Sequence, residues 1–251
     1  MLGAALDHSP WADPTAALEK RAHGYGELPW VNDAEWFSAL LPRGILTDAP
    51  GVLDLGCGPA RLAPWLRGRA RIPYVGVDRN PQMLDQARRS WRTPASVVAG
   101  DIETLTLPRF RDWIFVIANV LHYLQDLDSL RSLSRRLGQP RLICLAQTES
   151  SDEWTLAWAQ QLFAIVQPGY NRRWHKAGDL NRCLDDLGAE VVLDRVVCQT
   201  VDLDAWLDGW RVCKATRLRA QRHFDRTRAP VKARGEGRLM TRRQRILHFH
   251  L

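Results

Sequence analysis

The 251-residue sequence has no uninterrupted apolar run of the roughly 18 residues needed to cross a membrane. Its first residues offer no basic head leading into an apolar stretch, which argues against a secretory leader. Cysteine is sparse: Cys57, Cys144, Cys183, Cys198 and Cys213 are odd in number, widely spaced and never arranged as C-x-x-C. That excludes a disulfide framework and a zinc-type metal site, and it fits a reducing cytoplasm. Internal repeats and low-complexity tracts are missing too, which removes solenoid architectures. What is abundant is core material, since 45% of residues are apolar, enough to exclude disorder for the chain as a whole.

The charge is unevenly placed. From Arg211 onward there are 13 Lys and Arg against Asp225 and Glu236, a local balance of +11, whereas the rest carries 22 basic against 26 acidic residues. The net +7 is therefore a property of the C-terminal segment.

From residue 51 onward short apolar runs alternate with segments of helical period, the pattern of an α/β fold with a parallel sheet and helices on both faces. Strands are expected at Gly51–Leu55, Tyr74–Val77, Ser96–Ala99, Trp113–Ala118, Arg141–Ala146, Glu190–Val197 and Arg245–Leu251. Helices are expected at Arg61–Arg67, Pro81–Trp91 capped by Asn80, Ser129–Leu137 stopped by Gly138, and Asp179–Leu187 stopped by Gly188. Pro64 should shorten or kink the first of these. Residues 1–45 read as a helical N-terminal extension or lid. Residues 46–251 read as one domain with a substrate-lid insertion at about 147–178 and a basic helical segment at about 205–235.

The stretch "VLDLGCGPARLAPWL", Val52 to Leu66, runs a strand into Gly56 and Gly58 and then at once into a helix. Glycines at a strand end let a ligand approach the backbone, and the helix start supplies free N–H groups and a positive dipole end. Asp78 closes the second strand, 24 residues past Asp54, where a carboxylate can accept both hydroxyls of a ribose. Asp101 closes the third at the same level of the sheet. Three acids in register at the carboxyl edge, beside two glycines, mark a nucleotide-type site rather than three unrelated loop residues. A nicotinamide-dinucleotide enzyme is the competing reading, but no third glycine follows through Leu62 and Ala63.

These segments resemble the class I S-adenosylmethionine-dependent methyltransferases, particularly the small-molecule branch of quinone-biosynthesis and natural-product enzymes. "VLDLGCGPARLA", "GVDRNPQML", "AGDIETL" and "DWIFVIANVLHYLQD" are similar to that family's successive motifs, over about 95 residues. The resemblance implies a Rossmann-like seven-stranded, mostly parallel sheet with an antiparallel last strand, which suits "RILHFHL". It implies S-adenosylmethionine as cofactor and S-adenosylhomocysteine as product. Asp54, Gly56 and Gly58 would surround the methionine part, Asp78 the ribose with Arg79 beside it, and Asp101 the adenine amino group with the Ile102 amide. Asn119 would pass the methionine end, and Ala60 stands where the family usually has a third glycine.

A sulfonium methyl is already activated, so the protein must mainly align a nucleophile and exclude water. His122 follows the fourth strand and is the candidate base, against a packing role beneath the next helix. Candidate substrate residues are Tyr25 between two glycines, Trp154 and Trp158 at an i, i+4 spacing, Tyr170, and His175 among Arg172, Arg173 and Lys176. Against them stand core packing for the aromatics and a solvated charge cluster for His175. The Arg-rich segment from Trp210 to Arg245 is either a solvated helix or a stripe for RNA, an acidic carrier protein or an anionic small molecule. No RNA-binding module accompanies it, and "NVLHYL" is the small-molecule pattern. The expected activity is methyl transfer to an O, N or C atom of a small organic metabolite, anionic or aromatic, in secondary metabolism, with neither nucleic acid nor membrane as partner. The alternatives are a macromolecule methyltransferase and a cofactor-binding protein or cyclase that does not methylate.

Overall fold

The computed structural model describes residues 28, 31–69, 71–90, 96–124, 129–150, 152–166, 178–226 and 238–251. A short helix α1 (Ala34–Leu40) and a single turn α2 (Arg43–Leu46) lead into β1 (Val52–Leu55), α3 (Leu62–Arg67), β2 (Tyr74–Asp78), α4 (Pro81–Ser90), β3 (Ser96–Ala99) and β4 (Ile114–Ala118). Next come a 3-10 turn at Leu121–Tyr123, α5 (Ser129–Leu137), β5 (Leu142–Thr148), α6 (Glu153–Val166) and α7 (Asp179–Leu187). The described chain closes with β6 (Glu190–Asp202), α8 (Leu203–Gly209), α9 (Lys214–Arg226) and β7 (Leu239–His250).

The seven strands form one sheet in the order β3-β2-β1-β4-β5-β7-β6. β1 to β5 run parallel, and β7 enters antiparallel between β5 and β6. The reversal of strand order beside β1 puts the ligand crevice at the carboxyl ends of β1 and β4. Both faces of the central strands are covered, so β1 is buried at all four residues and reads as a nearly continuous apolar run broken by Asp54. On one face Trp36, Phe37 and Leu40 of α1, Trp65 of α3 and Leu84 of α4 pack on Val52, Val116 and Cys144. On the other, Leu130 and Leu133 of α5 and Leu180 and Leu184 of α7 pack on Phe115, Ile143 and Phe249. A third cluster joins α6, α8 and α9 through Trp158, Leu162, Trp206, Trp210 and Ala220.

Two expectations need correction. The strands foreseen as Glu190–Val197 and Arg245–Leu251 are far longer, because Val197–Asp202 and Leu239–Gln244 pair with each other as an antiparallel ribbon. Part of the basic segment from Trp210 to Arg245, expected as helix, is thus strand. Its helical part divides into α8 and α9 at Trp210–Cys213, with Arg211 at φ 50°. Pro64 is the third residue of the six-residue α3, where its missing N–H would have no intrahelical acceptor in any case.

Candidate functional site

At the end of β1 the chain takes three left-handed conformations in five residues, Gly56 at φ 77°, Gly58 at φ 54° and Ala60 at φ 54°. This coil keeps the Gly56 and Cys57 amides on Val77 O at 2.7 and 2.9 Å, locking the loop to the end of β2. A Cβ on Gly56 would lie 2.4 Å from Val120 Cγ2, whereas one on Gly58 would enter open space. Gly56 is thus required by packing, and Gly58 leaves room above the sheet.

Asp78 receives two backbone donors, Gly58 N–H on Oδ2 at 2.7 Å and Asn80 N–H on Oδ1 at 2.8 Å. Asn80 in turn caps α4 by accepting from the Gln82 and Met83 amides at 2.9 and 3.2 Å. Burial pushes the Asp78 carboxyl up, against the pull of those two amides and of Arg79. Arg79 lies 3.9 Å from Asp101 and 5.5 Å above the Tyr123 ring, while Asp101 Oδ1 accepts from Glu103 N–H at 2.9 Å. Past β4, Asn119 sits at φ 58° with its amide on Ala146 O, and the following 3-10 turn carries buried His122 with its ring 4.0 Å from that of Tyr123.

Two cavities meet along this edge. The first, of about 150 Å³, is lined by Gly56, Gly58, Asp78, Arg79, Asp101, Ile102, Asn119 and His122. The second, of about 100 Å³, lies toward α1, with Trp36, Phe37 and Leu40 on its apolar side and Asp54, Arg61, Gln199 and Arg242 on its polar side. Gly56, Gly58, Ala118, Asn119 and Arg242 line both. Asp54 is buried, and desolvation raises its carboxyl to about 7, opposed by the Tyr74 hydroxyl that donates to Oδ2 at 2.7 Å and supported by the nearby Asp78 charge.

The structure brings eight of the sequence-predicted residues to the first cavity and Asp54 to the second. Trp154 and Trp158 line neither: Trp154 is 50% exposed, and Trp158 is buried against His223 and Phe224 of α9. Shared spacing on α6 sets their side of the helix, but a partner 65 residues away decides which one is core. Tyr25, Tyr170 and His175 lie outside the described residues. Sequence reasoning missed Tyr74, whose hydroxyl reaches Asp54, and Tyr123 under Arg79. It also missed Arg242 and Gln199, which pair across β6 and β7 in a ribbon without an apolar pattern.

The acceptor carboxylate at Asp78, the open space at Gly58 and the acid and amide at Asp101 and Ile102 fit an adenosine-bearing cofactor. The family model described as methyltransferase domain matches residues 52–139. Among solved structures, a Bacillus halodurans protein assigned to the methyltransferases is 16% identical with a TM-score of 0.67, covering 85% of this chain and 97% of that one. The [4+2]-cyclase SpnF is 14% identical with a TM-score of 0.61, covering 94% and 92%. The Synechocystis magnesium protoporphyrin IX methyltransferase with bound S-adenosylhomocysteine is 14% identical with a TM-score of 0.50, covering 99% and 90%. No curated protein matches the chain significantly. At these identities the structures speak for the fold, and a shared fold does not name a reaction.

Proposed function

We propose that this chain, whose residues 52–139 match the methyltransferase-domain family model, is an S-adenosylmethionine-dependent enzyme that methylates a small organic metabolite. The observation that carries this reading is the second cavity, which adjoins the cofactor cavity at Asn119 and whose apolar side, Trp36, Phe37 and Leu40, suits a compact organic acceptor. The basic segment supports it from the other side. Arg217 pairs with Asp204 and Asp208, and Arg238 with Asp225 at 2.9 Å, so part of the positive charge is already matched by neighbouring acids. That leaves less field for a phosphate backbone.

When bound, S-adenosylmethionine supplies an electrophilic methyl group on a sulfonium sulfur. Asp78 would accept from the ribose hydroxyls, and Asp101 with the Ile102 amide would read the adenine edge. Arg79, held between Asp101 and Tyr123, closes that side. Gly56 and Gly58 let the methionine part lie close to the backbone, with Asp54 toward its ammonium. His122, in the wall of the same cavity, takes the proton of an acceptor that must lose one. His122→Ala is expected to lower kcat about 100-fold, within the usual range for a general base, with S-adenosylhomocysteine affinity changed less than about twofold. An unchanged kcat returns His122 to a packing role.

Asp54 makes cofactor binding depend on pH. Its ionised form holds an ammonium, and its carboxyl titrates near 7, with Tyr74, Cys57 and Asp78 as the titratable neighbours. Affinity for S-adenosylhomocysteine should therefore fall about tenfold per unit as pH drops below about 7 and level off above it. The sign for stability is opposite. The folded state holds this proton more tightly than the unfolded chain, so the Asp54 contribution to stability diminishes as pH rises from about 4 to about 7. In Asp54→Asn both slopes should flatten, as titration calorimetry and melting between pH 5 and 9 will read.

The function itself is tested by incubating the protein and methyl-labelled S-adenosylmethionine with an extract of the source organism and separating small molecules from macromolecules. Label among the small molecules supports the reading. Label in RNA or protein overturns it, and release of neither label nor demethylated cofactor favours a binding or cyclisation role.

A further inference from the structure

Asp54 of β1 lies opposite Gly76 of β2 in the parallel register, and Tyr74 stands two residues earlier on the same side of β2. Without a side chain at Gly76, the Tyr74 ring can run along the strand toward Asp54. A Cβ on Gly76 would lie 3.0 Å from the Tyr74 hydroxyl and 2.8 Å from Cys57 Sγ, so both groups occupy the space that the glycine leaves. The hydroxyl donates to Asp54 Oδ2 at 2.7 Å. Asp54 is only 5% exposed, yet it lines the second cavity, and among the described residues Tyr74 is its one hydrogen-bond donor. A buried carboxylate with one oxygen held by the protein and the other left over is a receptor for a cation.

The titratable and charged groups that face Asp54 are Tyr74 and Asp78 of β2, Cys57 of the loop after β1, and Arg61 and Arg242 in the wall of the same cavity, while α1 and β4 bring apolar side chains. Burial and then the Asp54 charge push the Tyr74 hydroxyl well above its ordinary range, and burial does the same to the Cys57 thiol. Tyr74 therefore stays a donor at every working pH, and Asp54 is the member of the cluster that can carry the charge. We infer that Tyr74 is a positioning residue for the cofactor, its hydroxyl fixing Asp54 Oδ2 so that Oδ1 meets the ammonium of the cofactor's amino-acid end. This rests on the methyl-transfer reading of the site. Tyr74 lines neither cavity and acts through Asp54.

The test uses the full chain, titrated between pH 6 and 8.5 with S-adenosylhomocysteine and with 5′-methylthioadenosine, which lacks the amino-acid end. Tyr74→Phe keeps the ring and removes the hydroxyl. It should bind S-adenosylhomocysteine about 5- to 50-fold less tightly at pH 7, and the pH at which affinity levels off should rise by about one to two, the scale of one hydrogen bond to a charged group. 5′-Methylthioadenosine should bind wild type and variant within about twofold at each pH, which also certifies the fold. Gly76→Ala displaces the hydroxyl without removing it, should show the same selective loss, and replaces a Tyr74→Phe variant that does not fold. A variant whose pH dependence does not move overturns the inference, as does an equal loss for both ligands, which means a packing role. Wild type that fails to bind S-adenosylhomocysteine at all overturns the methyltransferase reading together with this one, so the two failures are distinguishable.

Discussion

Replacing Asp78 by alanine is expected to weaken S-adenosylhomocysteine binding by about 10²- to 10⁴-fold. Two hydrogen bonds to a charged acceptor are lost, each worth about 1.5–3 kcal/mol. The carboxylate is pre-aimed, because the Gly58 and Asn80 amides hold one oxygen each and leave the remaining lone pairs toward the cavity. Stability should change less than affinity. The two amides lose their acceptor, at about 1–3 kcal/mol each where water cannot replace it, but a carboxylate disfavoured by burial is removed as well. Asp78→Asn keeps an acceptor for one amide and should preserve more of the melting temperature while still losing most of the affinity. Calorimetric titration beside thermal melting reads both, and unchanged affinity in either variant would take Asp78 out of the site.

The second large effect is on folding. Arg245 of β7 is nearly buried and donates to Asp194 at 2.9 and 2.6 Å, to Glu149 at 3.3 Å and to Asn181. Asp194 is half exposed and loses little without its partner, although Arg245 holds its carboxyl below the ordinary range. Glu149 is different, since its side chain is only 5% exposed. Arg245→Met should therefore destabilise the fold by about 3–5 kcal/mol, the cost of leaving a charge buried and alone. Adding Glu149→Gln should recover most of that loss. Urea unfolding of both variants settles the matter; a single variant that loses under about 1 kcal/mol would mean that water reaches Glu149.

The nucleotide half of the fold was legible in the sequence because its signals are local. β1, β2 and β4 are short, buried on both faces and therefore apolar throughout, and an acid or glycine interrupts them only where ligand chemistry requires it. Asp78 stands out because burial at the end of β2 disfavours a carboxylate that has no use there, and Asp101 repeats an acid at the same level of the sheet. The second cavity was not legible, for the opposite reason. Arg242 sits in "LMTRRQ", a stretch without apolar alternation whose strand conformation comes from pairing with Val197–Asp202 some 40 residues earlier. Trp36 and Phe37 pack in the core, and only the loop after β1, folding back beside them, makes their outer side a cavity wall. Trp158 shows the converse error, where a conspicuous aromatic at helical spacing proved to be a packing residue.

The place of β7 in the sheet has a consequence for biosynthesis. β5 ends at Thr148, but the residues that cover its outer edge, Gln244 to Phe249, leave the ribosome about 95 residues later. At about 5–20 residues per second that is an interval of about 5–20 s during which the nascent sheet has an open hydrogen-bonding edge and β6 has no neighbour to join. The cofactor cavity is incomplete over the same interval, since Arg242 arrives with the missing strand. The strands β1 to β5 can therefore collapse early, but neither sheet closure nor the second cavity can precede synthesis of β7. Nascent chains arrested between β6 and β7 are the species that chaperones must shield from edge-to-edge association.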